Sequence, residues 1–273
     1  MLIELFNFFS DSFGPLRVFD YLSFRAILAT LTALLISLIL GPRFIDKMQE
    51  IQVGQVVRDK GPSSHFMKRG TPTMGGTLIL ASIFLSSLLW GDLENKYLWT
   101  ALGVTTLFGL LGWIDDLFKI KLKSSDGLSG FSKIFWQSII ALAAGFYLYY
   151  TSVGSDEVSL IVPFFKEISF HLGLGFVFLA YLVIIASSNA VNLTDGLDGL
   201  ATVPVMLVAL TFSIICYVVG NTVFSNYLQI PFISNVGEIS VFCGSIVGSC
   251  LGFLWFNAPP AKIFMGDTGS LSL

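Results

Sequence analysis

Seven stretches of this 273-residue chain are apolar over about the length a helix needs to cross a bilayer. They run approximately over 22–40, 74–90, 97–114, 134–151, 170–190, 200–219 and 239–256. Inside hydrocarbon a backbone N–H or C=O finds no water, so each stretch must satisfy its own polar groups by closing into a helix. The alternating pattern of a membrane barrel is absent. Only 12% of the residues are charged, about half the usual share of a soluble domain. The expected architecture is an all-α, polytopic membrane helix bundle folded as one domain over 1–273. An eighth helix is expected to start at Asp267-Thr268-Gly269-Ser270, and the sequence reads as cut short at its C-terminus.

Basic residues orient the bundle, because cytoplasmic loops of membrane proteins are enriched in Lys and Arg. With the N-terminus outside, the inside loops are approximately 41–73, 115–133, 189–199 and 257–267. They hold Arg43, Lys47, Arg58, Lys60, Lys68, Arg69, Lys119, Lys121, Lys123, Lys133 and Lys262, which is eleven of the fifteen Lys and Arg. The outer segments are expected to be plain loops, with residues 221–236 lying along the interface. A second short interfacial helix is expected over 42–53. Basic residues this few, scattered between apolar spans, exclude a nucleic-acid-binding surface. Cys216, Cys243 and Cys250 lie inside apolar stretches at no metal-ligand spacing and read as small buried hydrophobes.

On that topology five carboxylates fall on the cytoplasmic side, where spans meet basic loops: Asp115, Asp116, Asp195, Asp198 and Asp267. A carboxylate near hydrocarbon is costly, so five at one face point to a task, and gripping a divalent cation with phosphates on it is the natural one. Asp115 and Asp116 end the third span in GWIDDLFKIK. Adjacent helical residues point about 100° apart, so the two have different duties. Close carboxylates also oppose each other's ionisation unless a cation lies between them. Lys119, Lys121 and Lys123 follow as a funnel for phosphate, although a solvated basic loop would look similar.

NAVNLTDGLDGLA is the most specific motif. Asp195 and Asp198 share a face if the turn is helical. Gly196 and Gly199 leave that face open, and Asn189 and Asn192 add amides nearby. In FNAPPAKIFMGDTGS, Asp267 is expected at a helix start, where anions are favoured, and is the best candidate metal ligand. Phe264 is placed to stack on a planar base. In KRGTPTMGG, Lys68 and Arg69 offer charge to an anion, while Thr73 either caps the second span or presents its hydroxyl to a ligand. His65, in the same loop, reads as solvated.

KRGTPTMGG, GWIDDLFKI, NAVNLTDGLDGLA and FNAPPAKIFMGDTGSLSL, in this order and spacing, resemble the phospho-N-acetylmuramoyl-pentapeptide-transferases. These belong to the polyprenyl-phosphate N-acetylhexosamine-1-phosphate transferases. The resemblance implies a ten-helix, homodimeric enzyme of the bacterial cytoplasmic (inner) membrane with a cytoplasmic site. It implies transfer of phospho-MurNAc-pentapeptide from UDP to undecaprenyl phosphate, giving lipid I and UMP for peptidoglycan synthesis, with Mg²⁺ as cofactor.

Residue by residue, Asp267 resembles the magnesium ligand and Asp115 the residue that deprotonates the lipid phosphate, with Asp116 beside it. Lys68, Leu197, Asp198 and Phe264 resemble a uridine pocket. Thr73, Asn192 and Asp195 resemble further nucleotide contacts, while Lys119, Lys123 and Lys133 resemble phosphate and lipid-side contacts. The family's histidine-rich loop lies beyond Leu273, so the segment in hand is expected to be inactive alone.

Direct attack by the lipid phosphate and a covalent aspartyl-phosphate route both fit the sequence. Within the class, a UDP-GlcNAc-dependent transferase is the alternative. An ion-coupled transporter is the alternative from another class. It would place acids near mid-membrane in broken helices, whereas spans two to seven carry no charge in their middles.

Overall fold

The computed structural model describes residues 2, 6, 9, 13–51, 71–122, 127–162 and 165–273, with backbone only at 155, 156, 166 and 167. The architecture is an all-α membrane bundle. Helix α1 covers Leu22–Glu50, α2 Gly76–Trp90, α3 Lys96–Leu122 and α4 Gly130–Tyr150. A hairpin of β1 (Ser159–Val162) and β2 (Phe165–His171) follows. Then come α5 (Gly175–Thr194), α6 (Thr202–Val219), α7 (Thr222–Leu228), α8 (Ile239–Asn257) and the five-residue α9 (Gly266–Ser270). Among the described residues six helices are long and apolar enough to cross a membrane, and α2 is apolar but shorter.

Three boundaries differ from the sequence expectation. Helix α1 does not stop near residue 40 but runs through Pro42 to Glu50, so no separate interfacial helix forms there. At about 1.5 Å per residue its 29 residues span about 43 Å, longer than a hydrocarbon core of about 30 Å. The segment before α5, expected as a plain outer loop, is a hairpin, and its second strand takes Phe170 and His171 from the predicted span. Gly173, at φ +51°, then turns the chain into α5. Helix α2 starts at Gly76 rather than at 74. The chain before it turns instead, with Met74 at φ +70°, Pro72 C=O accepting from Phe264 N–H (2.8 Å) and Gly75 N–H donating to Phe264 C=O (2.8 Å).

Helix α8 is the centre of the bundle: 67% of its most apolar stretch is buried, against 11% for α5. One face of α8 carries Gly244, Gly248 and Gly252, four residues apart. A Cβ at any of them would run into α1, at Ala26 C=O, Thr30 C=O, or Ser37 and Leu34. Without a hydrophobic drive between helices in lipid, such close backbone approach is what gives the pair its dispersion energy. Phe242, Phe253 and Phe256 on α8 pack with Ile79, Ile83, Leu98, Leu102, Ile263 and Met265 in a buried apolar cluster.

At one end of the bundle, Arg25 Nη1 reaches Glu238 Oε2 (2.9 Å) and Trp90 C=O (3.2 Å). Nearby, Asn95 Oδ1 caps α3 by accepting from Tyr97 and Leu98 N–H. At the other end, α3 and α5 finish, α2, α4 and α6 begin, and four of the five candidate carboxylates meet.

Candidate active site

Helix α3 delivers Asp115 and Asp116 in its penultimate turns, both buried. Asp115 Oδ1 accepts from Leu128 N–H at 2.6 Å. Its Oδ2 lies 2.7 Å from Lys119 Nζ, one helical turn on, and 3.0 Å from Lys133 Nζ on α4. The same two ammonium groups hold Asp267, with Lys119 Nζ 3.1 Å from Oδ1 and Lys133 Nζ 2.7 Å from Oδ2. The four side chains close a ring of alternating charge. Gly127 makes room for it, since a Cβ there would strike the Asp115 carboxylate.

Asp116 points elsewhere. Its Oδ1 accepts from Asp267 N–H (3.1 Å), and its Oδ2 from Thr268 N–H (2.9 Å) and Thr268 Oγ1 (2.7 Å). It therefore caps α9, satisfying first-turn N–H groups that no intrahelical carbonyl reaches. Helix α9 is wedged against α2 and α3 because Gly76 and Gly112 carry no side chain. A Cβ at Gly76 would meet Gly269 N, and one at Gly112 would meet Asp267 C=O. Gly266, at φ +73°, admits both the Asp116 carboxylate and Thr73 Oγ1 beside it. Thr73 therefore lines the approach to α9 and does not cap α2, whose N-cap is Gly75 with no side-chain bond.

Helix α5 extends further than the sequence suggested, so Asn189 and Asn192 are helical rather than loop residues. Asn192 Oδ1 accepts from Ser270 Oγ (2.7 Å), and Ser188 Oγ donates to Leu271 C=O (2.6 Å), tying α5 to α9. Asn189 turns into the bundle, donating to Gln137 Oε1 on α4 (2.9 Å).

The residues after α5 form turns, not a helix, and Gly199 adopts φ +72°. Two glycines in four residues, each poor in helix propensity, end the helix at Thr194. Asp195 and Asp198 consequently do not share a helical face. Asp195 takes the Gly266 N–H and is pushed up to about 7, first by burial and then by the nearby Asp267 and Asp116 carboxylates. Asp198 Oδ2 instead accepts from Ala261 N–H (3.3 Å) in the loop between α8 and α9.

Leu197 and Asp198 line an open groove of about 440 Å³ with Gly199, Leu200, Val203, Pro204, Leu254 and Pro259. Its walls are joined by Asn257, which the sequence reading passed over inside FNAPP. Asn257 Oδ1 accepts from Gly199 N–H (2.9 Å) and Thr202 Oγ1 (3.3 Å), and its Nδ2 donates to Ile263 C=O (2.9 Å). Gly112 was equally unremarked. Spacing of glycines against the acid motifs was the only available signal for Gly112. Lys68, Lys123 and His65 lie outside the described residues.

One oxygen from each of Asp115, Asp116 and Asp267 lies within 4.8 Å of the other two. Three hard carboxylate donors that close suit a divalent cation such as Mg²⁺. Two lysines at the same point suit the phosphates such an ion would carry.

The family model of glycosyl transferase family 4 matches residues 98–273, which include every carboxylate of this site. The chain belongs to that family. Residues 68–80 also match phospho-N-acetylmuramoyl-pentapeptide-transferase signature 1, which places the chain with the MraY-type glycosyl-1-phosphate transferases. It is thus a multi-pass membrane transferase that moves a sugar phosphate from a nucleotide-sugar onto a polyprenyl phosphate. The signature covers the 72–76 stretch that bonds to Phe264 and lies against Gly269, so it marks one wall of the acid site in this family member.

Proposed function

We propose that this transferase moves phospho-MurNAc-pentapeptide from its UDP-linked donor to undecaprenyl phosphate, releasing UMP and forming lipid I for peptidoglycan synthesis. In this reading it works in the bacterial cytoplasmic membrane as a homodimer, with its N-terminus outside and the acid site facing the cytoplasm. The observation that carries it is the ring of alternating charge formed by Asp115, Lys119, Asp267 and Lys133. The match of residues 68–80 to the pentapeptide-transferase signature supports the donor.

The groove takes the uridine, with Leu197 and Asp198 against it and Phe264 stacking on the base. Asn192, Asp195 and Thr73 bound the ribose and diphosphate side. Lys119 and Lys133 meet the diphosphate charge, and Lys68 and Lys123 extend that positive lining. An oxygen of the lipid phosphate attacks the phosphorus attached to the sugar. The bond from that phosphorus to the bridging oxygen breaks, and UMP leaves with the electron pair. Asp115 accepts the proton of a monoanionic lipid phosphate. Bound at Asp267, with Asp115 and Asp116 in reach, Mg²⁺ would offset charge on the diphosphate and make the phosphorus more electrophilic. Positioning and preset charge supply most of the acceleration. One phosphoanhydride replaces another, so the equilibrium lies near unity and added UMP reverses the reaction.

The test is UMP release by the purified full-length protein with undecaprenyl phosphate and Mg²⁺. Turnover with UDP-MurNAc-pentapeptide is expected. Turnover confined to UDP-GlcNAc would replace this donor with the alternative one. Labelled phosphate retained on the protein without lipid phosphate would replace direct attack with an aspartyl-phosphate route.

A further inference from the structure

We propose that Lys119 and Lys133 are exchangeable counter-ions: metal binding at Asp267 and anion binding at the same site are coupled because the lysines must move from one to the other. The inference rests on the proposed function only in taking a divalent ion and a phosphate as the ligands.

Both carboxylate oxygens of Asp267 are occupied, Oδ1 by Lys119 at 3.1 Å and Oδ2 by Lys133 at 2.7 Å. The buried Asp115 Oδ2 is shared by the same two groups at 2.7 and 3.0 Å. Among the described residues these are the ammonium groups that neutralise the pair. A divalent cation on Asp267 therefore has to displace at least one of them. The displaced ammonium cannot stay against the incoming ion, since like charges in a partly desolvated site repel strongly.

The two lysines differ in their freedom to leave. Lys119 sits on the last turns of α3 with a 30% exposed side chain, whereas that of Lys133 is 18% exposed, on the first turn of α4. Asp115 remains as a fixed anchor, buried and held by Leu128 N–H. A phosphate arriving with the metal gives the released ammonium a new partner and spares the site an unpaired charge. Each ligand accordingly raises the affinity of the other by the same factor, as linkage requires. The ring also keeps the acids compensated between turnovers, when neither ligand is present.

The experiment measures binding rather than turnover. Protein-bound Mn²⁺ is counted by electron paramagnetic resonance in detergent-solubilised full-length protein, without lipid or sugar donor. Titrations are run alone, with UMP and with inorganic phosphate, each corrected for Mn²⁺ held by the anion in solution. Saturating UMP is expected to tighten Mn²⁺ binding about tenfold in the wild type, within the usual range for coupled sites. Lys119→Met and Lys133→Met are expected to bind Mn²⁺ more tightly than wild type without any anion, and to lose most of the enhancement. If Lys133→Met fails to fold, the more exposed Lys119 position decides alone. Enhancement by inorganic phosphate but not by UMP upholds the exchange and removes the uridine part of the proposed function. Wild-type Mn²⁺ affinity indifferent to both anions overturns the exchange. So does full coupling retained in Lys119→Met with no gain in anion-free affinity. Absence of Mn²⁺ binding under every condition overturns both the exchange and the metal reading.

Discussion

Asp116 accepts twice from Thr268, once from the backbone N–H at 2.9 Å and once from Oγ1 at 2.7 Å. The carboxylate next to Asp115 thereby fixes the helix that carries Asp267, and the adjacent acids divide into one that faces the lysines and one that anchors. Removing one hydrogen bond to a buried charged group costs about 1.5–3 kcal/mol. Thr268→Val is therefore expected to lower turnover by about 10- to 100-fold while the thermal midpoint shifts by only a few degrees. An unchanged rate would show that the hydroxyl does not help place Asp267.

Chelation gives the second prediction. Stripping divalent ions with EDTA should stop UMP release, and Mg²⁺ or Mn²⁺ should restore it, because the close carboxylate oxygens of Asp115, Asp116 and Asp267 form a hard-donor site. Asp267→Asn, which keeps the shape and removes the charge, should cost roughly 10²–10³ in turnover, the scale of losing one preset electrostatic group. Full activity in EDTA would remove metal from the mechanism.

Asp195 predicts a pH dependence of stability. Its carboxyl is raised from 3.8 to about 7, largely by burial. Between those values the folded protein keeps a proton that the unfolded chain has released, so this group favours folding at low pH and the benefit is lost as pH rises through 7. In metal-free protein, the wild-type thermal midpoint should fall relative to Asp195→Asn as pH goes from 5 to 7.5. Parallel midpoints across that window would contradict the assignment.

Two glycines of the same helix should behave oppositely. A Cβ at Gly112 would collide with the Asp267 carbonyl, whereas a Cβ at Gly103 meets nothing within 4 Å. Gly112→Ala should displace α9 and reduce UMP release at least about tenfold, since small misplacements of reacting groups are costly. Gly103→Ala should leave the rate and the folding yield as they are. Equal rates in the two variants would show that α9 tolerates displacement.

The central packing surface yields to the same reasoning. Gly248 on α8 lies against Thr30 C=O on α1. Gly248→Leu should separate the helices and lower the yield of folded protein in detergent, with over-packing costing roughly 1–3 kcal/mol. Cys250→Ala, two residues on, should be far milder, because it removes volume rather than adding it.

Much of the site was legible because charge is costly in hydrocarbon: Asp115, Asp195 and Asp267 stand out against apolar flanks, and they do converge. What each does was less legible. Asp116 was expected to have a different duty from its neighbour, but which duty became visible only in the cap on α9. Asp195 and Asp198 were expected on one face and instead serve two places, because glycines at 196 and 199 stop the helix before it reaches them. Asn257 was passed over because an amide in a Pro-rich loop has no sequence signature for the three segments it joins. The hairpin over Ser159–His171 was missed because a short, partly apolar strand beside a span resembles the start of that span.

The sequence by itself determined a membrane bundle, its approximate spans and which ionisable residues had to be sheltered together. Those follow from local composition, since a bilayer penalises every unsatisfied backbone group and every stray charge residue by residue. Only the tertiary structure decided which carboxylate anchors α9, which faces the lysines and where the groove opens. Those assignments depend on contacts across 134 to 152 residues of chain, such as Lys133 with Asp267 and Asp116 with Thr268, and no local pattern encodes the direction in which a buried side chain points.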